Sequence, residues 1–120
     1  MNIAFSLTKP QIRAGTKDVT RRLGWENLQP GQVLDAIEKG QGLKKGERVK
    51  VMRTIRVTSV RREPLDRLIS EPVYGAEEIR REGFPELTPQ QFVDRFCRSH
   101  RACKPETTVT RIEFTYEVSQ

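Results

Sequence analysis

The chain is poor in the residues that most often carry dedicated chemistry. It has one histidine, two cysteines and one tryptophan in 120 residues. A single histidine without a matching serine or cysteine pattern gives no support to Ser-His-Asp or Cys-His-Asn catalysis. Two cysteines build no disulfide framework, and without a secretory leader they point to free thiols in a reducing, cytoplasmic setting. No run approaches the roughly eighteen apolar residues of a membrane span. The start, Met1 to Leu7, lacks the basic and long apolar regions of a signal peptide. There is no glycine-rich loop of the P-loop or dinucleotide type. No repeat, low-complexity tract or linker divides the chain, so its 120 residues form one domain with one core.

Charge is abundant and uneven. Charged residues make up 32% and hydrophobic ones only 35%, so long charged side chains must cover the edges of a lean core. Residues 1–62 hold 14 Lys/Arg against 5 Asp/Glu, whereas residues 63–120 hold 8 against 11. The basic half favours an anionic partner, nucleic acid or nucleotide.

Ile3, Phe5 and Leu7 alternate with polar or small residues and predict a strand with one buried face. Lys9-Pro10 opens a short helix that Gly15 ends. Lys17 to Leu23 reads as extended, Pro30-Gly31 as a turn, and Val33 to Ile37 as a mostly buried strand. The glycine- and lysine-rich stretch 40–46 reads as a hairpin tip leading into a long antiparallel strand, roughly 48–61. In it Val49, Val51, Ile55 and Val57 share one parity and Val60 takes the other, which predicts a bend or bulge. Residues 64–69 read as a turn and 70–81 as a helix. Thr88-Pro89-Gln90-Gln91 is a capping box, and Phe92, Val93, Phe96 and Cys97 form the apolar stripe of the helix it starts. Ile112, Phe114, Tyr116 and Val118 alternate in a closing strand, with Arg111 on the other face. These elements describe an α+β domain, arranged most economically as a small curled sheet or barrel with helices beside it.

The stretch with the strongest chemical signal is Gly15-Thr-Lys-Asp-Val-Thr-Arg-Arg22. Lys17 and Thr20 are three apart, so a uniform strand would point them to opposite faces. They converge only if the backbone turns between them, which Gly15 would permit. Arg21 and Arg22 are adjacent, so one can reach a pocket or phosphate while the other meets solvent or an acid.

Gly15, Lys17, Thr20 and Arg22 spell G-x-K-x-x-T-x-R, which resembles the signature of the ASCH domain. The approach through Phe5-Ser6-Leu7 and Lys9-Pro10, and the turn Pro30-Gly31-Gln32-Val33-Leu34, are similar as well. The resemblance implies a PUA-like β-barrel with flanking helices and a cleft for RNA or a modified nucleoside. Some small members of that family are amidohydrolases that remove the acetyl group from the exocyclic amine of acetylcytidine; others are RNA-binding modules or single-strand ribonucleases. The amidohydrolase lysine and threonine correspond to Lys17 and Thr20, and their glutamate corresponds most naturally to Glu82. By the same resemblance and the charge pattern, Ser6, Lys9, Arg21, Arg22, Trp25, Arg53 and Arg56 are candidates for contacting nucleic acid or substrate. No cofactor and no membrane partner are implied.

Amide hydrolysis needs a nucleophile, a base to activate it and an acid for the leaving amine. A lysine in a dry pocket loses its charge more readily and can serve as base. The alternatives are ordinary ones: Thr20 a strand residue, Lys17 a solvated cation, Glu82 an exposed helix-end acid. Trp25 either stacks on a base or caps the end of the barrel. Cys97, His100 and Cys103 lie at three-residue spacing, but a structural zinc site wants four ligands and no fourth is evident, so no metal is assigned. A Cys97–Cys103 disulfide requires oxidising conditions.

Overall fold

A computed structural model of the chain describes residues 1–40 and 42–118. In chain order it comprises β1 (Asn2–Ala4), α1 (Lys9–Ala14), β2 (Val19–Arg22), β3 (Val33–Ile37) and β4 (Val51–Pro64). Three helices follow, α2 (Arg67–Ser70), α3 (Pro72–Glu82) and α4 (Pro89–Ser99), and then β5 (Thr108–Tyr116). The sheet order is β1-β3-β4-β5-β2; β1 runs parallel to β3 and the other pairs are antiparallel.

The expected β-barrel is not formed. The α+β class with flanking helices holds, but the sheet is open, with β1 and β2 as its edges. These are its shortest strands, three and four residues long. No ladder joins them. The contact across the gap is a side chain: Arg22 Nη2 donates to the Ala4 carbonyl at 2.6 Å. Helix α1 is inserted between these strands in the chain, and β2 is held from its other side by β5.

Local signals explain most boundaries. Gly15 caps α1 in the left-handed conformation, φ 75°, with its N–H on the last turn. The capping box at Thr88 forms as both reciprocal bonds, Thr88 to the Gln91 N–H and Gln91 to the Thr88 N–H. Strand β4 bulges at Thr58, where the pairing with β5 skips from Val57–Phe114 to Ser59–Glu113. That extra residue brings Val57 and Val60, of opposite parity, onto the same core.

Where one core was expected, the buried residues fall into two clusters that share the long β4–β5 ribbon. One gathers Ile3, Phe5, Ile12, Leu34, Ile55, Val57, Ile112 and Phe114. The other gathers Leu65, Leu68, Ile79, Phe92, Val93, Phe96 and Val109 beneath the three later helices. Each fully buried Leu, Ile or Phe contributes about 1.5–3 kcal/mol of transfer free energy.

Several expectations shift. β4 starts at Val51, leaving Val49 and Val51 exposed, and it runs on to Pro64 where a turn was expected. Leu7 is 74% exposed in the turn after β1, and Val118 is exposed beyond β5. Gln41, in the expected hairpin tip, lies outside the described residues. Arg111, on the face of β5 opposite Ile112 and Phe114, is buried too, because α3 covers that side of the sheet. None of the described helices is long and apolar enough to cross a membrane.

Candidate functional site

A cavity of about 220 Å³ opens where the sheet fails to close. Its walls come from the end of β1 and the following turn (Ala4 to Thr8), from Lys17 and β2, from Glu82 and Phe84 after α3, and from one face of α4. That volume suits one substituted ring, being smaller than a drug-sized pocket of about 300–1,000 Å³.

The turn after Gly15 brings Lys17 and Thr20 to the same cavity, as their convergence required. The turn is pinned on three sides. Tyr116 Oη donates to the Lys17 carbonyl at 2.5 Å, Asp18 N donates to the Arg81 carbonyl, and Phe114 N donates to the Asp18 carbonyl. Burial pushes the Tyr116 hydroxyl up to about 12, so it remains a donor.

Lys17 and Glu82 are each 3% exposed. Lys17 Nζ donates to Glu82 Oε1 at 2.8 Å and to the Glu82 backbone carbonyl at 2.6 Å. That carbonyl lies at the C-terminus of α3, where the helix dipole also favours a cation. Burial nevertheless lowers the Lys17 pKa, outweighing the attraction of Glu82, and the nearby charges of Arg22 and Arg21 push the same way. Thr20 is also 3% exposed, and its hydroxyl oxygen accepts from Arg22 Nε at 3.0 Å.

The two arginines part as adjacent strand residues must. Arg21 turns under α3: Nη1 donates to Glu82 Oε2 at 3.2 Å, and Nη2 donates to Glu78 Oε1 at 2.6 Å and Tyr74 Oη at 3.2 Å. Arg22 turns to the seam, with its guanidinium 4.8 Å from the centre of the Phe5 ring. Burial brings its pKa down to about 10, with Glu82 opposing. It remains charged at neutral pH.

Beneath the cavity, register imposes a charge problem. Arg21 on β2 pairs directly with Arg111 on β5, and Arg111 pairs with Arg61 on β4. Like charges opposite one another are destabilising. Glu78 from α3 resolves the inner pair by accepting from Arg21 at 2.6 Å and from Arg111 Nε at 2.5 Å. Burial would raise its carboxyl, but the hydrogen bonds from Arg111 and Arg21 hold it down to about 2. Glu63 plays the outer part, meeting Arg61 at 3.0 Å and accepting from Tyr74.

One wall is aromatic. Phe84, Phe92 and Phe96 follow one another at centroid separations of 5.9 and 6.2 Å, and His100 stacks on Phe96 at 4.2 Å. His100 Nδ1 lies 2.8 Å from the Phe96 carbonyl, so it is the protonated nitrogen. Sequence reasoning missed this wall, and with it Arg95 and Leu7. The signal was present in α4, where Phe92, Arg95, Phe96 and Ser99 sit at helical spacing on one face.

The remaining candidates separate. Ser6 lines the cavity. Lys9 lies in a neighbouring basic groove with Lys39, Arg48 and Lys50. Trp25 packs against the first core and lines an outer groove that shares Ala4, Ser6 and Arg22 with the cavity. Arg53 stacks on Tyr116 at 4.4 Å and donates to the Arg13 carbonyl; Arg56 pairs with Glu117 and donates to the Gly31 carbonyl. Neither is part of the cavity. Cys97 and Cys103 are free thiols with sulfurs 3.4 Å apart. Among the described residues no group of three His, Cys, Asp or Glu is placed to hold a metal ion.

The fold is shared with solved structures. The hypothetical protein PH0355 superposes with a TM-score of 0.66 at 15% identity, covering 97% of each chain. An ASCH protein from Zymomonas mobilis, solved as a point mutant, gives 0.59 at 17% identity over 95% of this chain and 67% of its own. The ASCH domain from Lactobacillus crispatus gives 0.58 at 12% identity over 96% and 79%. The chain thus has the fold of the ASCH-domain structures. No protein-family model and no curated protein matches the sequence.

Proposed function

We propose that the cavity receives the base of a modified nucleoside or of RNA, and that Lys17, Thr20 and Glu82 hydrolyse the acyl amide on the exocyclic amine of a cytidine. The observation that carries this reading is the buried contact of Lys17 Nζ with Glu82 Oε1 at 2.8 Å, in one cavity with Thr20. It is supported by the shared fold with ASCH-domain structures.

In this mechanism the Thr20 oxygen attacks the acyl carbon. The Arg22 hydrogen bond at 3.0 Å stabilises negative charge developing on that oxygen. Lys17, with its pKa lowered by burial, takes the hydroxyl proton as the neutral amine. The proton taken up by Lys17 passes by way of the Glu82 carboxylate, which its ammonium contacts at 2.8 Å, to the departing cytidine amine, leaving an acyl ester on Thr20. Water then attacks that ester, and the acid leaves with the Thr20 hydroxyl restored.

A second reading, binding without catalysis, is favoured by one feature: Lys17 already donates to both a carboxylate and a carbonyl. Incubation with N4-acetylcytidine and with single-stranded RNA, followed by mass spectrometry, separates the two. The hydrolase reading expects loss of the acetyl group, abolished in Lys17→Arg while ligand still binds, since arginine keeps the charge but is no base at neutral pH. Undiminished deacylation by Lys17→Arg would remove Lys17 as the base. Strand cleavage without deacylation would make the protein a ribonuclease.

A further inference from the structure

We propose that the cavity is built for a ligand carrying a phosphate group, and that Arg22 and Arg95 receive it. The ring of that ligand rests on the nucleobase reading above; the phosphate does not.

Four cationic side chains line the cavity, Lys17, Arg21, Arg22 and Arg95, against one carboxylate, Glu82. Lys17 and Arg21 both pair with Glu82, and Arg21 also has Glu78. Glu82 is therefore fully engaged.

Arg22 meets no carboxylate within salt-bridge distance among the described residues; its bonds go to a hydroxyl and a carbonyl, from Nε and Nη2. Among the described residues Nη1 makes no hydrogen bond, and the buried side-chain atoms left without partners there are Gln11 Oε1 and Arg21 Nε. Nη1 is therefore accessible, at the seam where the cavity and the outer groove of Trp25 meet. The rest of the guanidinium is largely shielded from water and has no counter-ion, which is costly, and an anion at the one open nitrogen offsets the cost. Its planar fork is already fixed by two bonds and the Phe5 ring, which suits it to phosphate oxygens. Arg95 stands exposed on the α4 wall and is paired with no acid among the described residues.

A nucleotide monoester and an RNA phosphodiester share this chemistry. The test compares binding of N4-acetylcytidine, its 5′-monophosphate, a short oligoribonucleotide containing it, and adenosine 5′-monophosphate, at low salt. The phosphate-bearing cytidine ligands should bind at least ~10-fold tighter than the nucleoside, the scale of one charged hydrogen bond. Arg95→Gln should remove most of that gain, and so should Arg22→Gln, whereas Arg98→Gln, on the same helix outside the cavity, should not. Arg95 is exposed, so its variant folds even if the Arg22 variant does not. Preference for the monoester over the oligomer marks a nucleotide site; the reverse marks an RNA strand. Equal affinity for nucleoside and phosphorylated ligands would overturn the proposal. So would a preference that survives Arg95→Gln, or one lost equally in Arg98→Gln. Arg95-dependent binding of the adenosine monophosphate as tight as the cytidine one would support the phosphate site and sink the cytidine reading. Deacylation of the nucleoside with no gain from phosphate would do the opposite.

Discussion

Replacing Glu78 with glutamine tests whether the buried charge cluster is held together by that one carboxylate. The substitution keeps the shape and removes the charge. It removes the one carboxylate that Arg21 and Arg111, paired across β2 and β5, share, leaving Arg21 with Glu82 and Arg111 with Glu113. The carboxyl is held from its ordinary 4.5 down to about 2, and at 1.36 kcal/mol per pKa unit this corresponds to about 3 kcal/mol of stability at neutral pH. An independent scale, the removal of one partner from a buried ion pair, gives about 3–5 kcal/mol. For a chain of this length, 3 kcal/mol lowers the melting temperature by about 12 °C. Because the folded pKa is depressed, the contribution is complete above about pH 4.5 and is lost as pH falls toward 2. Denaturant melts at pH 7 and at steps down to pH 2 should therefore show a gap between native and Glu78→Gln protein that closes through that window. Glu77→Gln, one residue away and exposed, should leave both curves unchanged. A Glu78→Gln cost below about 1 kcal/mol, or a gap constant from pH 7 to pH 2, would mean that the Glu78 carboxylate does not hold the cluster together.

Other outcomes follow from single contacts. In Gly75→Ala the new Cβ would lie 1.9 Å from the Leu68 carbonyl oxygen, so denaturant melts should show a loss of about 3 kcal/mol. Helix propensity alone would give a gain of about 1 kcal/mol, so the sign decides between packing and propensity. Thr88→Ala should cost about 1 kcal/mol in the same assay by removing the α4 capping box. If Lys17 is the base, turnover should rise with pH through its lowered pKa, and the rising limb should lie below that of a free lysine; a flat profile would count against it.

What the chain made legible were features written locally. Gly15 and Lys9-Pro10 bound α1, Thr88 starts α4, and the parity change between Val57 and Val60 announced the bulge. The glutamate opposite Lys17 was found because the motif resemblance asked for one. Glu78 was not. Among Glu77, Glu78 and Arg80 it looks like one more solvated helix residue, and its burial depends on α3 lying over the β2–β5 pair. The clue available was its i, i+4 spacing from Glu82, which puts both carboxylates on one face. Closure of the sheet was equally hidden, since it turns on two edge strands of three and four residues and on where a guanidinium ends up. Arg61-Arg62-Glu63 read as the end of a strand because its charges pair with residues distant in sequence, among them Thr110, Tyr74 and Glu26.

The seam bridged by Arg22 also bears on how copies of the molecule behave toward one another. An unpaired strand edge is a template on which a second chain can add, and native proteins blunt such edges by keeping them short or covered. Here both edges belong to the same gap, joined by the Arg22 bond to Ala4, so neither is presented as a long, flat margin. Loss of that one guanidinium would uncover two edges at once. The side chain that borders the cavity is thus also the one that bridges the two margins at which a second chain could add.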